Sequence, residues 1–218
     1  FEGENLLEYD QSQMEAIRGA RIGMVFQDPM TSLNPVLTIG RQISEAMVLH
    51  LGFSQDDARS KSTELLSLMG IPNPEEVVKL YPHNLSGGMK QRIVIAIALA
   101  CNPRLLVADE ATSNLDVTIQ AQILDLLKEL KASVIASVLL ITHDLGIVAE
   151  TCDRVGVMYA GNLCEVANVK ELFNNPLHPY TRALLEAVPR YSQEDELKSI
   201  VGNVPNLVDP PAGCRFHP

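Results

Sequence analysis

The fold is decided by the stretch Leu105-Leu106-Val107-Ala108-Asp109-Glu110, in which four apolar residues lead directly into two acids. A short apolar run of this kind predicts a buried strand of the type found in parallel sheets. In open α/β sheets ligands bind at the carboxyl ends of the strands, which is where both acids would lie. Because successive strand residues point to opposite sides, one acid can bind Mg²⁺ through water while the other polarises an attacking water. On periodicity alone, an ordinary junction between a strand and a capped helix is an equal alternative.

Apolar runs elsewhere in the chain predict further strands that alternate with helices. Residues 21–26 and 138–142 are predicted strands, and residues 154–159 and 162–166 are predicted to form a hairpin. Short apolar strands between helices indicate an α/β fold with a parallel sheet covered on both faces. The predicted helices cover residues 38–51, 54–69, 86–100, 117–131, 145–151, 169–174 and 180–188, with a further short helix between Pro74 and Tyr81.

The distribution of these elements divides the chain into successive parts. Residues 1–40 are predicted to hold part of an α/β core, and residues 41–100 an inserted helical subdomain that ends in a long apolar helix. Residues 101–188 complete the core. Residues 189–218 are polar and rich in proline, and we expect them to form a C-terminal extension that leaves the core.

A second stretch, Leu85-Ser86-Gly87-Gly88-Met89-Lys90-Gln91-Arg92, predicts a helix start that binds phosphate. Ser86 can cap the helix, and the two glycines let backbone N–H groups come close to an anion. The helix N-terminus adds about half a positive charge at the same place. An isolated Ser-Gly-Gly would more often be an ordinary capped helix, so the weight of this stretch depends on its neighbours.

Other polar residues follow the predicted strands in a fixed order. Gln27 follows the strand at 21–26 and can reach a metal or a water through its amide. His143 follows the strand at 138–142, where a lone histidine is more often structural. Ser113-Asn114-Leu115-Asp116 forms a loop after the acid pair. The convergence of all these features on one sheet edge makes coincidence improbable.

With these motifs in this order, the chain resembles the nucleotide-binding subunits of ABC transporters. Gln27 matches the Q-loop, residues 85–91 the signature loop, residues 105–110 Walker B with its catalytic glutamate, residues 113–116 the D-loop, and His143 the switch histidine. The resemblance is greatest to the dipeptide and oligopeptide (peptide or nickel) importers, on residues 26–35, 81–86, 116–122, 175–181 and 210–214. It implies a P-loop NTPase-like (RecA-like) parallel sheet with an inserted helical subdomain and a C-terminal extension.

The resemblance also implies roles for individual residues, with ATP and Mg²⁺ as cofactors. Glu110, His143 and Gln27 would be catalytic, and Asp109 and Gln27 would hold the metal. The residues implied to contact nucleotide are Ser86, Gly87, Gly88, Gln91 and Asp116. In the resembling proteins the signature loop serves the ATP of a neighbouring subunit, so closure of two subunits completes the site.

The implied partners are an identical or homologous ATPase subunit, two membrane-spanning permease subunits and, indirectly, an extracytoplasmic solute-binding protein. The implied location is peripheral, on the cytoplasmic face of the cell membrane. The formal charge of −10 and an aromatic content of 5% argue against nucleic acid as a partner. No apolar stretch is long enough to predict a membrane-spanning helix. The identity of the solute stays open, as does the choice between two identical and two different ATPase subunits.

The chain departs from the family pattern in several ways. It contains no Gly-Lys dipeptide, so the P-loop G-x-x-x-x-G-K-[ST] is not in these residues. We therefore expect the chain alone neither to hold ATP tightly nor to hydrolyse it. Ala111 stands where the family usually has proline after the glutamate, a change we expect to be tolerated. Cys214 is the one cysteine of the extension, so an iron–sulfur cluster would require a full-length form with further ligands.

Two rival interpretations remain at this point. One is a soluble ABC ATPase outside transport, although no coiled coil, zinc hook or second cassette is visible in the sequence. The other is a regulatory subunit that does not hydrolyse ATP, against which the presence of both Glu110 and His143 argues.

Overall fold

The computed structural model describes residues 1–112, 115–133, 137–188, 200, 202, 205–208 and 210–217. The chain separates into two compact units, Phe1–His143 and Asp144–Pro218. Residues 113 and 114 of the predicted D-loop and much of the predicted extension at 189–218 lie outside the described residues.

The first unit contains the parallel strands β1 (Ile22–Val25), β2 (Leu105–Asp109) and β3 (Ser137–Ile141). Short 3₁₀ turns occur at Leu6–Glu8 and Pro82–Asn84. Its helices are α1 (Gln11–Ile17), α2 (Pro29–Ser32), α3 (Ile39–Leu51), α4 (Gln55–Leu68), α5 (Pro74–Val77), α6 (Gly87–Leu99) and α7 (Val117–Ser133).

The sheet of this unit has the order β1-β2-β3, with every described pairing parallel. The register places Val25 beside Ala108, and Asp109 beside Ile141. The predicted α/β class with a parallel sheet is therefore confirmed. Because the strands run in the same direction, the residues that follow each of them meet at one edge of the sheet.

The two faces of the sheet differ in how they are covered. On one face Leu106 and Ala108 are fully buried in the core formed with α6 and α7. On the other face Met24, Leu139 and Ile141 are 39%, 50% and 44% exposed. The prediction of a sheet covered on both faces is thus wrong for the described residues, because α6 and α7 pack against the face that carries Leu106 and Ala108 and the opposite face is partly exposed.

Helix α6 packs so closely on β1 that the strand needs a glycine at the contact. A Cβ atom added to Gly23 would lie 2.2 Å from the carbonyl oxygen of Ala98. Ile93, Ile95 and Leu99 of α6 are fully buried in the same core. This packing fixes the helix that starts at the signature loop against the sheet that carries the acid pair.

The helical segment follows the predicted capping pattern. Ser54 caps α4 by accepting a hydrogen bond from the Asp57 amide at 3.1 Å, and the chain leaves the helix through Gly70 at φ +67°. Helix α1 was absent from the sequence-based prediction. It begins with a capping box in which the Asp10 and Gln13 side chains accept from each other's backbone N–H groups.

The second unit contains α8 (Leu145–Thr151), the antiparallel hairpin of β4 (Arg154–Tyr159) and β5 (Asn162–Asn168), α9 (Val169–Asn174) and α10 (Pro179–Glu186). Its small core consists of Val148, Val155, Val157 and Leu172. Among all the residues described, no helix has the length and apolar composition needed to span a bilayer.

Part of the predicted C-terminal extension returns to this second unit instead of leaving it. Phe216 packs edge-on against Tyr159 and lies 5.3 Å from the Tyr180 ring centre. The Arg215 guanidinium donates a hydrogen bond to the Ala160 carbonyl at the tip of the hairpin. Aromatic packing therefore holds this part of the tail on the hairpin, which a proline-rich sequence did not indicate.

Candidate active site

The Glu110 carboxylate is the centre of the candidate site, since both of its oxygens are engaged by other predicted site residues. Gln27 Nε2 donates to Glu110 Oε2 at 2.6 Å, and His143 Nδ1 lies 3.2 Å from Glu110 Oε1. The Glu110 side chain is 29% exposed and the His143 ring is 74% exposed. The structure thus brings together the three residues predicted to be catalytic. We call them the Glu110 cluster.

The parallel sheet explains how distant residues form the Glu110 cluster. Gln27 follows β1 by two residues, Glu110 follows β2 directly, and His143 follows β3 by two residues. The Glu110 amide donates to the Ile141 carbonyl at 2.9 Å, which continues the pairing of β2 and β3 beyond Asp109. The cluster is therefore attached to the rigid part of the fold, although its side chains reach solvent.

Glu110 has an unusual backbone conformation, with φ at +46°. A residue with a Cβ atom in this left-handed region carries strain on the order of 1 kcal/mol, and such strain persists only where neighbours enforce it. The next carbonyl, that of Ala111, accepts a hydrogen bond of 2.6 Å from Gln91 Nε2. Gln91 was predicted to contact nucleotide, but the structure places it in the interior with 1% of its surface exposed.

The contact between His143 and Glu110 constrains the protons of the imidazole ring. An ionised carboxylate only accepts hydrogen bonds, so the contact requires a proton on Nδ1. A neutral ring then has no proton on Nε2, which leaves that nitrogen unable to donate. To donate to a phosphate through Nε2 while keeping Glu110, His143 must carry both protons.

Asp109 lies beside Glu110 on the less buried face of β2, half-exposed at the edge of the sheet. Mg²⁺ prefers oxygen ligands and is commonly held by one or two protein groups, with phosphates and waters completing the shell. The Asp109 carboxylate and the amide oxygen of Gln27 provide oxygens of this kind. The residues present therefore fit Mg²⁺ bound together with a nucleotide.

The signature loop lies at the exposed start of α6. The Ser86 hydroxyl accepts from the Met89 amide at 3.4 Å, as expected for a helix cap. Ser86 and Gly87 are exposed, and open space surrounds the position that a Cβ of Gly87 would take. An approaching anion could therefore reach the first N–H groups of the helix.

Asp116, from the predicted D-loop, is exposed and caps α7 by accepting from the Ile119 amide at 3.0 Å. Ser113 and Asn114 of the same loop lie outside the described residues.

A second carboxylate cluster, in the hairpin unit, was missed by sequence reasoning. Glu165 accepts from the Leu177 and His178 amides at 2.8 and 3.0 Å. Burial raises the pKa of Glu165, but interactions with the Thr181 hydroxyl, these two amides and the His178 ring outweigh it, so the pKa lies below its ordinary value. Thr181 is fully buried, and its hydroxyl faces this carboxylate without a hydrogen bond of normal geometry in the part of the chain described. The turn motif at 175–181 was visible in the sequence, but its partner on β5 was not.

Cys214 does not offer a ligand set for an iron–sulfur cluster. Its sulfur lies 3.5 Å from His178 Nε2, whereas such clusters are held by about four thiolates. Within the described ranges no group of three or more His, Cys, Asp or Glu side chains could hold a metal ion.

The sequence profile of the family described as ABC transporter matches residues 1–113, about half of the chain. The chain belongs to the ABC transporter family. A second profile, described as the oligopeptide/dipeptide transporter C-terminal region, matches residues 164–218 of this ABC protein.

Relatives of this ABC protein include the oligopeptide transport ATP-binding protein OppD of Bacillus subtilis, 52% identical over 99% of this chain and 61% of the relative. The dipeptide transport ATP-binding protein DppD of the same organism is 53% identical, over 99% of this chain and 65% of the relative. OppD of Salmonella typhimurium is 47% identical, over 100% of this chain and 65% of the relative. The chain therefore spans a little under two thirds of the length of these curated relatives.

Solved structures of ABC cassettes resemble the fold. A dimeric ATP-binding cassette in a post-hydrolysis state, bound to ADP and Pi, is 28% identical with a TM-score of 0.64, over 74% of this chain and 68% of that one. The cbiO1 protein of Clostridium perfringens, part of the transporter complex cbiONQ, is 31% identical with a TM-score of 0.66, over 77% and 64% of the two chains. These structures confirm the predicted P-loop NTPase-like fold.

Proposed function

We propose that the natural protein is the ATP-hydrolysing subunit of an ABC importer that takes up dipeptides or oligopeptides. The observation that carries the proposal is the Glu110 cluster, a carboxylate held by Gln27 and His143 at the carboxyl edge of a parallel sheet. Relatives 47–53% identical are oligopeptide and dipeptide transport ATP-binding proteins, which supports the solute class.

In this proposal Glu110 polarises the water that attacks the terminal phosphate of ATP. Its carboxylate accepts hydrogen bonds, so it can replace the Gln27 amide or the His143 ring with a water O–H. Asp109 and Gln27 supply oxygens to Mg²⁺, which when bound neutralises charge on the phosphates. His143, doubly protonated or turned from Glu110, donates to the terminal phosphate. Because phosphoryl transfer depends mainly on positioning and charge stabilisation, these placements are the chemical contribution of the chain.

The signature loop is proposed to bind the ATP of a second ATPase subunit, either identical or homologous. The exposure of Ser86 and Gly87 at the start of α6 supports this, because helix N-terminal amides attract anions. Asp116 is proposed to lie at the same interface between the two subunits. Closure of this interface would bring the signature loop onto nucleotide held by the partner and complete the catalytic site.

The proposed membrane partners are two permease subunits that span the bilayer, with the helical segment of α3 to α5 as the docking part. The proposed location is therefore the cytoplasmic face of the membrane. An extracytoplasmic solute-binding protein would act on the ATPase indirectly, through the permease. Family membership and the names of the relatives support this assignment.

The test is to purify the natural protein from membranes and measure its partners and its ATP hydrolysis. We expect two membrane-spanning subunits to co-purify, and hydrolysis to rise when peptide and the solute-binding protein are added. The Glu110→Gln variant in the same assembly is the control for hydrolysis by contaminants. Hydrolysis that is independent of membrane subunits, together with co-purification of ribosomes, would instead support a soluble ABC ATPase.

A further inference from the structure

Gln91 is one of two polar residues, with its neighbour Lys90, at the buried positions of α6, and it is the more deeply buried of the two. Ile93, Val94, Ile95 and Ala96 follow it and are all buried. Its side-chain amide donates to the Ala111 carbonyl at 2.6 Å, and a carbonyl can only accept, so the donor must be Nε2. Its other atom, Oε1, is buried and finds no partner among the described residues.

Packing alone does not explain why residue 91 is a glutamine. A buried acceptor without a partner costs about 1–3 kcal/mol, which methionine, of similar shape, would avoid. The feature that methionine cannot supply is the N–H directed at Ala111. The distinctive contribution of Gln91 is therefore its hydrogen bond to Ala111, the residue that follows Glu110.

The hydrogen bond to Ala111 completes a backbone clamp around Glu110. On one side the Glu110 amide donates to the Ile141 carbonyl at 2.9 Å, and on the other side the Ala111 carbonyl is held by Gln91. Between these two anchors Glu110 keeps φ at +46°. Without the second anchor the backbone around Ala111 could rotate and relieve the strain at Glu110, which would redirect the carboxylate.

We propose that Gln91 is a positioning residue for the reaction, which holds the strained turn so that the Glu110 carboxylate points at the attacking water. Gln91 lies on α6, five residues after Ser86, and α6 is fixed on the sheet at Gly23. Helix α6, whose N-terminus is proposed to bind the ATP of a neighbouring subunit, thus also orients the Glu110 carboxylate of its own subunit. This inference rests on the proposed function, because it explains the orientation of a Glu110 that is proposed to be catalytic.

The first test is Gln91→Met in the natural protein with its partners. We expect kcat for ATP hydrolysis to fall by about 10- to 100-fold, as for a catalytic group misplaced by about 1 Å, with KM for ATP within about twofold of wild type. Gln11→Met is the control. Gln11 also donates through Nε2, to the Glu15 carboxylate at 3.1 Å, but it is exposed on α1. We expect Gln11→Met to keep the wild-type kcat, measured at equal folded fraction.

The second test is Gln91→Glu, whose carboxyl group can donate to Ala111 only when it is protonated. Burial raises the pKa of such a carboxyl group, so a donor is restored as pH falls toward about 6. The ratio of kcat for Gln91→Glu to kcat for wild type should then rise by at least about fivefold between pH 8.5 and pH 6. With both rates normalised to the folded fraction at each pH, a role in packing alone predicts a flat ratio, which would overturn the inference.

The outcomes separate this inference from the proposed function. If Glu110→Gln abolishes hydrolysis but Gln91→Met leaves kcat unchanged, the positioning role is wrong and the proposed function stands. If Glu110→Gln hydrolyses ATP at the wild-type rate, the proposed role of Glu110 fails first. A Gln91→Met variant that loses kcat only in proportion to its folded fraction also overturns the positioning role.

Discussion

In Glu110 and in Glu165, both carboxylate oxygens have a hydrogen-bonding partner. The type of partner differs, and the difference distinguishes a glutamate suited to catalysis from one suited to a structural role. Glu110 is held by the side chains of Gln27 and His143 at the edge of the parallel sheet. Glu165 is held by the backbone amides of Leu177 and His178, at the turn that leads into α10. Side chains can rotate to release a carboxylate, whereas backbone amides release it only if the turn itself opens.

This difference gives the two glutamates different tasks. Glu110 can exchange a partner for a water O–H without unfolding its unit, so it suits catalysis. Glu165 fixes the proline-flanked turn at 175–181 and suits a structural role. Substitution of Glu110 should therefore change turnover, and substitution of Glu165 should change the stability of the hairpin unit.

The largest effect is expected for Glu110→Gln in the natural assembly. Gln keeps the shape but cannot act as a carboxylate base, so steady-state ATP hydrolysis should fall by about 1,000-fold. Phosphate release measures this, with Glu165→Gln as the matched control. Hydrolysis by Glu110→Gln at the wild-type rate would remove Glu110 from the mechanism.

A smaller loss of turnover is expected for His143→Ala. The change removes the ring beside Glu110 Oε1 and, with it, the proposed donor to the terminal phosphate, so hydrolysis should fall by about 100-fold. His217→Ala, an exposed histidine of the hairpin unit, is the control and should hydrolyse ATP normally. Equal rates for the two variants would show that His143 is not part of the site.

A stability effect without a catalytic one is expected for Glu165→Gln. The neutral amide can accept from one backbone N–H and would present its own N–H₂ to the other, so the hairpin unit should lose about 1 kcal/mol. Faster hydrogen exchange at the Leu177 and His178 amides would report the loss locally. Unchanged exchange would show that the carboxylate does not hold the turn.

The smallest effect is a pH dependence of the same contact. Because the pKa of Glu165 is lowered in the folded state, its stabilisation is present above its ordinary pKa of 4.5 and is lost as pH falls through the lowered value. The difference in amide exchange between wild type and Glu165→Gln should therefore shrink as pH falls below about 4.5. A difference that stays constant down to pH 2.5 would contradict the lowered pKa.

The sequence predicted the Glu110 cluster well because the signals were local and the sheet is parallel. Apolar runs located β1, β2 and β3. The polar residues Gln27, Glu110 and His143 follow these three runs in order. Parallel pairing then required these residues to meet at one edge. The same reasoning could not give φ at Glu110. That conformation depends on two hydrogen bonds to residues distant in sequence, one from the Glu110 amide to the Ile141 carbonyl and one from the Gln91 side chain to the Ala111 carbonyl.

Other features were missed for identifiable reasons. Helix α1 is short and polar, and its signal was the Asp10-x-x-Gln13 capping box rather than an apolar period. The exposed face of the sheet could not be predicted, because a short apolar run does not indicate which sheet face packs against helices. The docking of Phe216 on the hairpin depends on aromatic partners more than 35 residues away, Tyr159 and Tyr180. Gln91 was assigned from motif position, which gives no information on burial.

The most direct test of this difference between Glu110 and Glu165 is to identify the nucleotide that each glutamine variant retains. Natural assemblies of Glu110→Gln and Glu165→Gln are incubated with ATP and Mg²⁺, separated from free nucleotide, and their bound nucleotide is identified by chromatography. The Glu110→Gln assembly is predicted to retain intact ATP, and the Glu165→Gln assembly to retain ADP. ADP in the Glu110→Gln assembly, or ATP in both, would contradict the assignment of catalysis to one carboxylate and architecture to the other.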